Sequence, residues 1–509
     1  MFPLLSVIIF LPLLAGFALL FFRENWVVAI RWTALGVAGV NLLLTLLLML
    51  LYAQLNIGAQ FLGTFHFSER VTWISALGIN YSLGVDGISM LLVVLTALLT
   101  FVCILASFNI ERRVKSYMAF MLLLDCGITG VFLSTNLFLF YVFWEVMLIP
   151  AYFLVGSWGG DRRIYAAFKF VLYTSAGSLL MLAGIIALGY YHQLATGGSY
   201  TLELHTLLTT RLDSSVQFWL LLAFAAAFSV KIPFVPFHSW LPDTYSEAPV
   251  PVTVMLAGAM TKAGAYGFLR FCIPLFPQAI QALAPFFSTL AIISILYCAL
   301  LALVQTDMKR LLGYSSISHL GIVMLGMFAF NTQGVEGSVL QMVNHGITTA
   351  ALFLIVGFIE SRTGTRRIAD FGGLAARVPI LATVMLITAL SSLGLPGLNS
   401  FSGEFLVLLG AFHHSVLLGT LGTAVVIPAA WYLIRFFQGT MQGAGKVDGA
   451  VGSLLRKGTL RDLNVREFLS LSPLLGLIFY IGLQPAPLTF LLEPSVLSTM
   501  QVLGNMFVK

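Results

Sequence analysis

The chain has 509 residues, of which 59% are hydrophobic and 9% charged, with a net charge of +6. A water-soluble domain needs roughly 25% charged residues to coat its surface, so this composition excludes a soluble enzyme or binding module. Four widely spaced cysteines, Cys103, Cys126, Cys272 and Cys298, offer neither a disulfide framework nor a CxxC metal or cluster site.

Apolar runs recur from end to end, each about 20 residues long and thus able to cross about 30 Å of hydrocarbon. Lipid leaves no partner for free backbone groups, and runs of this length predict helices rather than barrel strands. The first run, 2–22, lacks a basic leader and a small-residue cleavage site, so it is expected to be a retained helix rather than a signal peptide. The others fall at 28–52, 84–108, 116–133, 136–157, 165–190, 216–238, 248–274, 280–304, 310–330, 338–360, 378–411, 415–437 and 468–490. The expectation is an all-α polytopic membrane protein of about fourteen transmembrane helices. It forms a single domain over 1–509, with helices 1–3 in 1–115 and a last linker and helix in 438–509.

If all segments span, most of the 26 Lys and Arg residues fall on one side, among them Arg112-Arg113, Arg162-Arg163, Lys309-Arg310 and Arg366-Arg367. The other side holds Arg70, Arg211, Arg270 and Lys509. The basic side is then cytoplasmic, matrix or stromal, and both termini lie on the outer side. The net positive charge reports this topology and gives no reason to invoke a nucleic acid.

Two spans are interrupted. Pro233 and Pro236 break the seventh, and the twelfth contains Ser391-Ser-Leu-Gly-Leu-Pro-Gly-Leu-Asn-Ser400. Irregular backbone at membrane depth must be buried in protein or face a wet cavity. Five spans separate the two breaks, which predicts two five-helix repeats, 116–274 and 280–437, with an odd repeat length that inverts the second copy. Ordinary proline kinks are the alternative.

Six ionisable residues lie near the middle of predicted spans: Glu145, Lys231, Lys262, His319, His345 and Glu404. Such residues are costly in lipid and usually line a polar path or pair with one another. At an effective dielectric near 20, a carboxylate about 4 Å from an ammonium interacts by about 4 kcal/mol. Opening or closing one Glu–Lys pair can therefore move a proton, and histidine suits a relay because small changes switch its charge. Structural ion pairs are the competing account. Other candidates carry less weight. Asp125 is either part of the path or a local hydrogen-bonded cap, and Asp86 and Lys169 are expected to contact headgroups or loops. His238, Asp243 and Glu247 form an entry site or a loop network, and His413 and His414 are expected on the outer surface. The string Gly443-Ala-Gly445-Lys446 lacks the spacing and Ser/Thr of a phosphate loop and reads as linker.

Phe143-Trp144-Glu145, the long string Lys231-Ile-Pro-Phe-Val-Pro-Phe-His-Ser-Trp-Leu-Pro-Asp243, Tyr314-Ser-Ser-Ile-Ser-His319 and Gly403-Glu404 resemble the antiporter-like subunits of complex I. The resemblance runs from the first span to Arg461-Asp-Leu-Asn-Val-Arg-Glu467. Glu404, where the other antiporter-like types carry lysine, resembles the M type, also called chain 4. The resemblance implies a proton-translocating subunit of an NAD(P)H- or ferredoxin-quinone oxidoreductase. Glu145 would pair with Lys231, Lys262 would pass protons to His319 and His345, and Glu404 would release them on the outer side. It implies no redox cofactor in this chain; Fe–S clusters, quinone, and FMN or NAD belong to partner subunits. Expected partners are other membrane and peripheral subunits, including neighbouring antiporter-like ones, together with lipids of an energy-transducing membrane. The alternatives are a subunit of a multi-subunit cation/proton antiporter and a structural membrane subunit.

Overall fold

The computed structural model describes residues 3–55, 65–443, 452 and 460–504. Phe2, Ala444 to Lys446 of the glycine-rich string, and Lys509 lie outside the described residues. Among the described residues the chain is mostly helical, and eleven helical segments are long and apolar enough to cross a membrane. Large apolar side chains such as Phe17, Trp32, Leu43, Leu172, Leu179, Trp219 and Ile427 are exposed. An apolar surface of this extent requires lipid around it.

Helices α1 (Leu4–Leu20) and α2 (Val27–Ala53) lead to a two-stranded antiparallel sheet, β1 (His66–Ile74) and β2 (Ile79–Val85). The all-α expectation is corrected here: the connection after α2 folds into a hairpin, turned at Gly78 with φ +59°. The hairpin is tied down by carboxylates. Glu69 accepts from Leu5 N at 2.7 Å and Ser6 N at 3.1 Å, capping the open first turn of α1. Glu203 accepts from Asn80 at 2.9 Å, Ser82 at 2.8 Å and Asn136 at 3.1 Å.

Next come α3 (Gly87–Ala106), α4 (Val114–Leu133), α5 (Leu137–Val146), α6 (Leu148–Trp158), α7 (Arg163–Thr196) and the short α8 (Leu204–Leu207). The seventh predicted span, 216–238, is interrupted as expected: α9 (Ser214–Lys231) ends at the lysine, and helix resumes only past the prolines and past the predicted end, in α10 (Trp240–Glu247). Prolines at 233 and 236 cannot donate to the helix ladder. The freed carbonyl of Val230 accepts from Trp240 Nε1 at 3.0 Å, and Val235 N donates to Ser294 Oγ at 3.1 Å.

The segment Val250–Leu275 is buried but for Val250, Arg270 and Pro274, which are partly exposed. It comprises α11 (Val250–Met255), α12 (Lys262–Gly267) and α13 (Ile273–Leu275), joined by π turns at Leu256–Met260 and Phe268–Cys272. These turns have no signature in the sequence. After α14 (Pro277–Leu303), α15 (Met308–Met327) and α16 (Thr332–Thr363), the second break separates α17 (Pro379–Ser392) from α18 (Asn399–His414). Gly394 and Gly397 take φ +79° and +89° within it, conformations that glycine adopts at little cost. Asn399 knits the break to α16: its Nδ2 donates to Asn344 O at 3.1 Å and its carbonyl accepts from Asn344 Nδ2 at 2.7 Å.

α19 (Val416–Thr423), α20 (Val426–Met441), α21 (Val465–Leu483) and α22 (Ala486–Gly504) complete the chain. The predicted segment 468–490 is in fact two helices. Gln484 and Pro485 end α21, and α22 packs back on α3 and α16, with Ser495 Oγ accepting from Gly87 N at 3.0 Å.

Candidate functional site

The breaks and π turns place charged groups inside the bundle. Lys231 is the last residue of α9 and is completely buried. Among the described residues its Nζ has no hydrogen-bond partner, and it lies over two aromatic faces, 5.1 Å from the Trp144 centroid and 5.7 Å from that of Phe170. Glu145, next to Trp144 on α5, is near enough for its charge to act on Lys231. Its buried Oε1 also has no hydrogen-bond partner. The resemblance implied a Glu145–Lys231 pair; here the two are neighbours and the pair is open.

Lys262 opens α12, directly after the first π turn. It too is completely buried, but it is bonded: Nζ donates to Ala257 O at 2.5 Å and meets His345 Nδ1 at 2.8 Å. Two glycines permit this meeting. A Cβ on Gly346 would stand 2.8 Å from the Gly258 carbonyl, so only glycine lets α16 approach the π turn so closely.

His345 Nε2 has no hydrogen-bond partner among the described residues, and its ring lies 5.8 Å, centroid to centroid, from that of His319. His319 Nδ1 in turn lies 2.9 Å from Glu404 Oε1, the same oxygen that accepts from Gln341 Nε2 at 2.8 Å. Ser392 Oγ stands 3.5 Å from His319 Nε2. The second break leaves room for this carboxylate, since a Cβ on Gly394 would come within 2.9 Å of Glu404 Oε2.

The structure thus brings Lys262, His345, His319 and Glu404 into one line and sets Glu145 beside Lys231. α9 packs on α12, but no hydrogen bond joins Lys231 to Lys262. Gln341, Phe170 and the Ala257 carbonyl were not singled out from the sequence, and Trp144 only as part of the Phe143-Trp144-Glu145 string. Neutral amides, aromatic rings and backbone oxygens in apolar runs carry no mark of such a position.

The lesser candidates resolve differently. Asp125 sits mid-helix in α4, fully buried, accepting from Thr100 at 2.9 Å and Asn41 at 3.1 Å. It is therefore no cap. Asp86 pairs with Arg270 at 2.6 Å while its Oδ1 caps α3, and Lys169 pairs with Asp243 at 2.8 Å, so neither reaches for headgroups. Asp243 also pairs with Arg310 at 2.9 Å, and Arg366 pairs with Asp307 at 2.5 Å and lies 3.6 Å from Glu247. These residues join α10, the start of α15 and the loop after α16 into one charged network. Beside it opens a cleft of about 330 Å³ whose lining includes Glu247, Lys309, Glu360 and Arg366. His238 belongs to the break but not to these ion pairs, and His413 and His414 are exposed at the end of α18.

Comparison with known proteins places this arrangement. Residues 134–427 match the family model described as NADH:quinone oxidoreductase/Mrp antiporter, TM. The chain is 38% identical over 502 residues to "NADH-quinone oxidoreductase subunit M" of Rickettsia bellii, covering 97% of this chain and 98% of that one. It is 38% identical over 499 residues to "NADH-ubiquinone oxidoreductase chain 4" of Marchantia polymorpha, covering 98% and 97%. Among solved structures, a chain of respiratory complex I from Thermus thermophilus with bound NADH superposes with a TM-score of 0.86 at 32% identity, covering 98% of this chain and 100% of that one. The chain belongs to the antiporter-like membrane subunits of the NADH:quinone oxidoreductase/Mrp antiporter family, on the branch of subunit M and chain 4.

Proposed function

We propose that this chain is a proton-translocating membrane subunit of a complex I-type quinone oxidoreductase, with Glu145, Lys231, Lys262, His345, His319 and Glu404 as its proton carriers. The observation that carries this reading is the line of titratable groups through the bundle. Lys262 to His345 spans 2.8 Å, the two histidine rings lie 5.8 Å apart, and His319 to Glu404 spans 2.9 Å. A ring rotation or one water joins the histidines, and every other step within the line is at hydrogen-bond distance.

Glu145 and Lys231 act as the switch ahead of this line. Closing their ion pair stabilises the charged lysine, and opening it favours proton transfer onward. Glu404 ends the relay on the outer side. About fourteen spans in two inverted five-helix repeats, with both termini outside, fit the paired breaks at α9/α10 and α17/α18. Redox chemistry belongs to partner subunits that hold the cofactors, and the energy of quinone reduction reaches this chain through its neighbours. The identities of 38% with proteins named as NADH-quinone oxidoreductase subunit M and chain 4 support this assembly.

The test is purification of the tagged chain in mild detergent, with mass-spectrometric identification of what accompanies it. Iron–sulfur subunits and a quinone module are expected. Recovery with only small antiporter subunits would overturn the redox-driven reading.

A further inference from the structure

An ammonium in a dry interior without a partner is strongly disfavoured, because it has lost its water and gained nothing. The open Lys231 nonetheless sits in such a place, with no hydrogen bond and no ion pair among the described residues. What it has are two ring faces, of Trp144 at 5.1 Å and Phe170 at 5.7 Å, both within the range at which the negative face of an aromatic ring attracts a cation. Both rings are themselves buried. Trp144 packs against Phe140 and Phe228, with centroids at 5.5 and 5.6 Å. Phe170 packs against Trp240 at 5.2 Å, and Trp240 is the residue that bonds the Val230 carbonyl beside the lysine. A buried tryptophan usually places its N–H on an acceptor. Trp144 Nε1 has none, so its ring is used through its face.

We propose that Trp144 and Phe170 form an aromatic cage that holds the Lys231 ammonium while it is parted from Glu145, which makes them positioning residues of the lysine switch. The cage gives the open state a resting place of its own, so the side chain has two positions, on the carboxylate and on the rings. A neutral amine has no charge for a ring face to attract, so loss of the proton frees the side chain from the cage. Trp144 adjoins Glu145 on α5, and Trp240 ties the second wall to the broken helix; a shift of either element therefore alters both positions together. This inference rests on the proposed proton-carrying role of Lys231.

The test is site-specific replacement of Trp144 in the intact complex by tryptophans of increasing fluorination, which drain the ring face while keeping its shape. Proton pumping coupled to quinone reduction should fall stepwise, by about tenfold for the most fluorinated ring. Trp144→Leu should lower it more than Trp144→Phe, and Phe170→Leu should act in the same direction. If the fluorinated rings all support the native rate, Trp144 acts by shape alone and the cage is overturned, even where the leucine variants fail to assemble. Normal pumping by an assembled Lys231→Ala complex would instead overturn the role of the lysine, so the two failures are distinct.

Discussion

Lys231 and Lys262 are both fully buried, yet their ammonium groups meet different neighbours. Lys262 has a carbonyl and an imidazole; Lys231 has two rings and a carboxylate out of bonding range. In the proposed relay the first hands a proton to the base in contact with it, and the second moves. Both were legible as lysines inside apolar runs, where nothing but function or pairing sustains a charge. Their surroundings were not, because a ring or an amide looks the same in lipid as at a site. At the far end of the line, Glu404 Oε1 is held by His319 and Gln341. Replacing His319 by Ala should lower coupled turnover by about tenfold or more, the range expected for loss of a positioned proton-transfer group. Gln341→Leu, which removes one donor but no titratable group, should have the smaller effect. Quinone-reductase rate and pumping in membrane vesicles check both.

At the scale of elements, the two helix breaks were readable from Pro233, Pro236, Gly394, Pro396 and Gly397, residues that cannot or do not continue a helix. The π turns around Lys262 were not, since they form from ordinary residues where glycines let neighbouring helices close in. The hairpin was equally hidden, because residues 66–85 lack clean alternation. In the second break, Gly394→Ala should lower stability by about 1 kcal/mol or more, from the φ of +79° that alanine tolerates poorly. It should also reduce turnover, because the added methyl lies 2.9 Å from Glu404 Oε2. Thermal unfolding of the purified complex measures the first effect and quinone reduction the second. On the basic side, Asp243→Asn weakens two ion pairs at once, to Lys169 and Arg310. Lower recovery of assembled complex is expected, with a change in yield several times that of Asp161→Asn, an exposed aspartate that forms no ion pair among the described residues.

For the molecule as a whole, composition alone dictated a membrane protein, and the segregation of Lys and Arg is the basis of the proposed orientation, with the basic side inside. That orientation has a direct consequence. A cysteine placed at exposed His413 should react with an impermeant thiol reagent added to the outer side, and one at exposed Arg112 only from the inner side. Labelling in the opposite sense would invert the topology and with it the direction assigned to the relay. The partners could not be read from the residues themselves and are proposed through likeness to other chains.

In the proposed mechanism protons pass along the line from Lys262 to Glu404. The most direct measurement is proton pumping in sealed vesicles by a complex carrying Lys262→Ala, with assembly verified on the same sample. Pumping and quinone reduction should both fall by at least about tenfold, because the first base in the line loses its donor. Pumping at the native rate in the assembled variant would mean that protons do not pass through Lys262.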